Sequence, residues 1–149
     1  MRVVLQLVNN CKVDINDKTA ASIEKGFLLL LGVKNGDTEA DAIKLARKIS
    51  GLRIFTDEND KMNLSLSDVG GTVVVVSNFT LYADCSHGRR PSFINAARPD
   101  VSEPLYEFFC EQMRSNGIEV QTGEFGADMQ VNLCNDGPVT LVIDSEELK

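Results

Sequence analysis

Thr72-Val73-Val74-Val75-Val76 is an unbroken β-branched run that ends at once in Ser77-Asn78-Phe79-Thr80. β-Branched side chains fit a pleated surface, and a run without polar alternation belongs to a strand buried on both faces. The residues at its end bring hydroxyl and amide groups to the rim of the core, within reach of a ligand. A strand that simply ends in a polar turn would have the same pattern, so the run alone specifies a core and not yet a site.

Asn135-Asp136-Gly137-Pro138 lies between two further strand-like runs, Met129 to Cys134 and Val139 to Ile143. Gly supplies backbone angles closed to other residues and Pro fixes its own, so the tetrapeptide by itself reads as a hairpin turn. Earlier in the chain, Arg2 to Val8 and Cys11 to Ile15 form a pair of strands with Asn9-Asn10 as their turn, and Gly26 to Val33 is a second buried strand. Thr38 caps a helix through the Gly51 stop, with Asp41 placed like the acid of a capping box. Leu52 to Phe55 alternates as a strand, Asp57 to Asp60 is a polar turn, and Ser65 to Gly71 is a loop. Asp100 to Gly117 is the second helix, capped by Asp100 or Ser102, with Pro104 in its first turn and an apolar stripe of Leu105, Phe108, Phe109 and Met113. About two helices and about eight strands describe one α/β domain over residues 1–149, with helices layered on a mixed or curled sheet.

At 149 residues the chain has the length of one domain with a sizeable core. It carries 15 Lys and Arg against 22 Asp and Glu, a net charge of −7. An acidic chain gains nothing from long-range attraction to phosphates, which argues against a general nucleic-acid binder and against DNA. A single RNA end needs only a local basic patch, and Arg89-Arg90 with Lys61 or Arg53 supplies one, although the doublet alone is also ordinary solvated surface. No apolar stretch is long enough to span a bilayer and no signal-like start is present, so the expected compartment is the cytoplasm. Cys11, Cys85, Cys110 and Cys134 are isolated and read as free thiols, mostly core residues, with no metal-ligand spacing. His87 is the only histidine and sits in a loop, where solvated side chains are the rule.

Conventional hydrolytic chemistry needs a nucleophile with a base, or a metal with ligands, and neither pattern is visible. A rigid pocket of hydroxyls, amides and backbone N–H groups remains available, and such a pocket can hold an oxyanion. No metal or other cofactor is expected.

Ser77-Asn78-Phe79-Thr80-Leu81 and Asn135-Asp136-Gly137-Pro138-Val139-Thr140 together resemble the two signature motifs of the D-aminoacyl-tRNA deacylases. Gly32-Val33, Gly36-Asp37-Thr38, Leu52 to Phe55, Lys61 to Ser65, Gly88 to Phe93 and Gly123 to Met129 extend the resemblance along the whole chain. It implies a homodimer of three-layer α/β/β domains with a barrel-like pair of sheets. It also implies hydrolysis of the ester joining a D-amino acid, or glycine, to the 3′ end of tRNA. Ser77, Asn78, Phe79 and Thr80 would be catalytic, with Thr80 positioning rather than attacking. Asn135, Gly137, Pro138, Met129, Phe125 and Ala127 would bind substrate, and Arg89, Arg90 and Lys61 would touch RNA. Gly137-Pro138 would be cis and enter the partner's pocket, excluding L side chains. Two residues depart from the family pattern: Asn78 stands where Gln is usual and Leu7 where Arg is usual. Those departures keep two alternatives open, a relaxed alanyl-type tRNA deacylase and a non-catalytic homodimer that binds a nucleotide or amino acid.

Overall fold

A computed structural model describes residues 1–149. Strand β1, Arg2–Ile15, is the spine of the domain. It is continuous, so the expected turn at Asn9-Asn10 is absent; the chain reverses instead at Asn16-Asp17, with φ of 50° and 63°, and enters β2, Lys18–Ile23. Asn and Asp tolerate this left-handed region better than other side chains, which is why the reversal falls there. Strand β3, Gly26–Gly32, runs antiparallel to the first half of β1, while β2 pairs with the second half.

Helix α1 covers Glu39–Ser50, with Thr38 as its N-cap as expected; the Asp41 carboxylate accepts from the Thr38 N–H at 2.9 Å and from its hydroxyl at 3.1 Å. Asp41 is held below the usual carboxylate range: burial pushes it up, but the hydrogen bonds from Thr38 and Ser145 outweigh that. Of the expected Leu52 to Phe55 strand only Phe55 is paired, at the start of β4, Phe55–Thr56, which lies against β5, Met62–Leu64. The segment expected as a loop contains a short helix α2, Leu66–Val69, because Ser65 and Asp68 form a capping pair. Strand β6, Thr72–Ser77, then leads into a 3-10 turn at Phe79–Tyr82.

Helix α3 covers Pro99–Ser115, so it starts before both residues expected to cap it. Pro99 takes the first helical position, where a missing N–H costs nothing, and Pro104 lies beyond the first turn. Leu105, Phe109 and Met113 of the expected stripe are buried and Phe108 is half-buried. Strand β7, Glu119–Thr122, and strand β8, Gln130–Asp144, complete the domain. The strand count of eight equals the expected one, but β1 and β8 each fuse two expected strands while β2 and β5 were not foreseen, and the α-helices number three rather than two.

The main sheet has the order β2-β1-β3-β6-β7, with β8 along the other edge of β1. Pairs β3–β6 and β6–β7 are parallel and the rest antiparallel, so the sheet is mixed. It curls until its ends approach, and Gln121 of β7 accepts the Ser22 N–H of β2 at 2.8 Å, giving a nearly closed barrel. One core lies between the sheet and the helices, a smaller one inside the curl. Val73 and Val75 of β6 enter the first, Val74 and Val76 the second, and so the valine run is covered on both faces as its composition requires. Each such side chain contributes about 1.5–3 kcal/mol of burial. The chain's amino group at Met1 is also buried, 2.8 Å from the Asp37 carboxylate and 2.7 Å from the Ser145 hydroxyl, tying the start of β1 to the approach to α1. No helix is long and apolar enough to cross a membrane.

Candidate active site

A cavity of about 500 Å³ opens where β6 ends. Ser77, Asn78 and Phe79 form one wall, and Phe125, Ala127 and Met129, from the segment between β7 and β8, form the facing one. Six of the residues expected at the site are therefore brought together. The floor was not anticipated: it comes from Val33 after β3, from Phe93, Ala96 and Ala97, and from Pro99 and Ser102 in the first turn of α3. Phe93 lies within a stretch that carries the family resemblance, but its meeting with Phe79 is a tertiary event. Their rings pack edge to face at 5.1 Å, and Phe79 remains 55% exposed.

The strand end is locked into shape locally. The Asn78 N–H donates to the Leu31 carbonyl at 2.8 Å, extending the β3–β6 pairing by one residue. Its side-chain carbonyl caps the 3-10 turn, accepting the Thr80 N–H at 3.2 Å and also the Thr80 hydroxyl. Asn is among the best N-cap residues, and a longer amide would not close this ring as well. Asn78 thus presents its NH₂ as the uncommitted donor at the cavity wall. Thr80 is exposed and does not line the cavity; it meets the cavity wall only through its hydrogen bonds to Asn78.

Behind the facing wall, Tyr106 packs against Phe125 at 5.9 Å and donates to the Val75 carbonyl at 2.9 Å. Burial holds the Tyr106 hydroxyl well above its ordinary range, so it stays a donor. The cavity continues into an apolar groove of about 350 Å³ shared with Leu30, Val131 and Leu133.

Asn135, Gly137 and Pro138 do not line this cavity. Nor is their segment a hairpin turn: β8 continues on both sides of it, paired throughout with β1. Val8 pairs with Asn135 and Gln6 with Thr140, so Leu7 alone faces the four residues from Asp136 to Val139. The excess chain bulges out of the strand. The Asn135 side-chain nitrogen closes its base, donating to the Leu7 carbonyl at 2.9 Å and the Val139 carbonyl at 3.0 Å. Gly137 sits at φ +110°, where a Cβ would stand 2.8 Å from the Val139 side chain, so no other residue fits. The Gly137-Pro138 peptide bond is cis, and both residues are exposed. The Leu7 side chain is buried in the larger core, where an arginine head group would have no water.

Arg89 and Arg90 are exposed in a loop closed by the Asp84–Ser92 bridge, and Lys61 is exposed at the β4–β5 turn. His87 is likewise exposed, its Nδ1 2.7 Å from the Ser86 hydroxyl. The cysteines depart from expectation in part: Cys11 and Cys110 are buried, while Cys85 and Cys134 are exposed. No three His, Cys, Asp or Glu side chains converge.

Residues 4–144 match the family model D-Tyr-tRNA(Tyr) deacylase. The D-aminoacyl-tRNA deacylase of Thermosipho africanus (strain TCF52B) is 53% identical over 148 residues, covering 99% of each chain. That of Thermus aquaticus is 54% identical over 147 residues, covering 99% of this chain and 97% of its own. Among solved structures, a protein named c-Myc DNA Unwinding Element Binding Protein superposes with a TM-score of 0.89 at 34% identity, covering 97% of this chain and 98% of that one. A probable eukaryotic D-amino acid tRNA deacylase superposes at 0.82 and 20% identity over 96% of this chain and 98% of that one, a likeness of fold alone. With a family model spanning nearly all of β1 to β8 and relatives above half identity over the full length, the chain belongs to the D-Tyr-tRNA(Tyr) deacylase family of ester hydrolases.

Proposed function

We propose that the protein hydrolyses the ester joining a D-amino acid, or glycine, to the 3′-terminal ribose of tRNA, and that it does so as a cytoplasmic homodimer without a cofactor. The observation that carries this reading is the meeting of Ser77, Asn78 and Phe79 with Phe125, Ala127 and Met129 around one cavity with a free amide donor on its wall. Water, assisted by the neighbouring ribose 2′-hydroxyl, adds to the ester carbonyl. The oxyanion is met by the Asn78 NH₂ and by main-chain N–H groups near Phe79. Collapse breaks the bond to the ribose 3′-oxygen, which takes up a proton, and the free amino acid and tRNA leave. Thr80 keeps Asn78 in place and forms no covalent intermediate. Arg89, Arg90 and Lys61 offer charge to the RNA end.

Selection against L substrates is assigned to Gly137-Pro138. The bulge is exposed and away from its own chain's cavity, so a second copy is needed to bring it to a site, and the apolar groove beside the cavity suits such a neighbour. Main-chain carbonyls placed where an L side chain would project reject it by collision, while glycine has nothing to collide. Deacylation of matched D-, L- and glycyl-tRNAs tests the whole reading. Cleavage of the D and glycyl esters with the L esters spared is expected; inertness toward all of them would overturn it.

A further inference from the structure

At the end of α1 far from the cavity, a cleft of about 640 Å³ is lined by Lys44, Arg47 and Lys48 of the helix, Arg53 just beyond it, and Lys149 of the tail. These are five of the chain's 15 basic residues, facing one acidic side chain, Glu147, in a protein of net charge −7. None of the five forms an ion pair within the domain, although Lys44 reaches the Leu148 carbonyl and Arg53 holds the Asn63 carbonyl at 2.7 Å. Cations in a helix's last turn complement its dipole, which accounts for Arg47 and Lys48 but not for Arg53 and Lys149 converging from separate segments. Like charges gathered in a concave surface focus a positive potential.

The spacing from the cavity is set by the helices. Ala97 and Val33 at the cavity floor are bonded to each other, and Asn95 accepts from Asn35 on the approach to α1. From there α1's 12 residues advance about 18 Å. Along α3, Ser102 lines the cavity, and Met113, which receives the Ser50 hydroxyl at the end of α1, lies about 16 Å on. A stacked nucleic-acid strand carries a phosphate about every 3.4 Å, so the cleft stands roughly five nucleotides from a residue held in the cavity.

We propose that this cleft is a docking site for the phosphate backbone of the substrate RNA, upstream of the ester. The proposal rests on the reading of the cavity as an aminoacyl-tRNA ester site. The cleft adds affinity for the RNA body and takes no part in the chemistry. Arg47 and Lys48 are exposed, so Arg47→Gln with Lys48→Gln leaves the core untouched. Steady-state deacylation of D-tyrosyl-tRNA and of 3′-O-D-tyrosyl-adenosine is compared for the native and doubly substituted proteins at several salt concentrations. With tRNA, KM rises tenfold or more while kcat holds. The slope of log(kcat/KM) against log salt becomes shallower by about 1.5, at roughly 0.7–0.9 per lost phosphate contact. The adenosine ester, which has no upstream phosphate, is cleaved as before. Unchanged tRNA kinetics, or equal losses on both esters, overturn the proposal. Should the native protein cleave neither ester, the cavity reading fails on its own, and binding of uncharged tRNA by fluorescence anisotropy decides the cleft: a tenfold loss of affinity upholds it and equal affinity removes it.

Discussion

Asn135 holds Leu7 by its main chain: one side-chain nitrogen donates to the Leu7 carbonyl at 2.9 Å and, across the base of the bulge, to the Val139 carbonyl at 3.0 Å. Leu7, which stands where the family pattern usually has Arg, offers no side-chain donor, and the bulge is closed from the opposite strand by the Asn135 amide. A net hydrogen bond contributes about 0.5–1.5 kcal/mol, so Asn135→Ala is expected to cost about 1–3 kcal/mol in urea denaturation. The freed bulge is expected to raise cleavage of L-aminoacyl-tRNA relative to D. A variant as stable and as selective as the native protein would show that the bulge is supported elsewhere.

Leu7→Arg combined with Asn78→Gln is expected to destabilise the fold, because Leu7 is buried in the larger core and a guanidinium there loses its water. The D over L preference of the protein that remains folded is unchanged, since Asn135 already closes the bulge. The longer glutamine amide caps the 3-10 turn less well than the Asn78 side chain, which lowers stability by about 1 kcal/mol and slows kcat. A native protein that cleaves L-alanyl-tRNA readily, and loses that activity in the double variant, would assign the chain to the alanyl-type deacylases instead.

Burial pushes the Cys11 thiol up to about 11 and the Cys110 thiol up to about 12. Both are buried, whereas Cys85 and Cys134 are exposed, so a disulfide reagent at pH 8 is expected to titrate two thiols quickly and the others only on unfolding. The folded values lie above the ordinary 9.0, so the unfolded chain loses these protons first. Their contribution to stability is complete below about pH 9 and declines as the pH rises toward 12. Four fast thiols at pH 8 would contradict the burial.

Chelation with EDTA is expected to leave deacylation intact, because the side chains around the cavity contain no carboxylate, imidazole or thiol to ligate an ion. Loss of activity restored by a single divalent ion would refute this.

Sedimentation at micromolar concentration is expected to give a twofold assembly, since the exposed Gly137-Pro138 bulge does not line the cavity of its own chain. A fully active monomer is the contrary outcome.

The buried valine strand was legible because burial on two faces leaves a continuous β-branched composition, whereas the polar groups at its end stood out only when read together with the second motif at Asn135 to Thr140. Asn9-Asn10 misled because two exposed amides mark a turn equally well when they lie mid-strand; β8 pairs across that stretch, a fact that resides in residues 130–135. The Asn135 to Pro138 segment carried its turn chemistry openly, but local angles do not say whether the flanking strands pair with each other or with a third. The basic cleft was hidden for the same reason: Lys44, Arg47 and Lys48 look like the solvated face of a helix until Arg53 and Lys149 are folded beside them.

The bulge also separates two kinds of change that are ordinarily inseparable in a strand. Adding a residue to a β-strand shifts every later side chain to the opposite face. Here the Asn135–Val8 and Thr140–Gln6 pairings clamp the sheet on both sides, and added length between them has somewhere to go other than along the ladder. The domain can therefore vary the reach of this segment, by insertion or deletion, while Leu141 and Ile143 keep their faces against the core. The segment can be redesigned as a module, with the rest of the molecule serving as an unaltered frame.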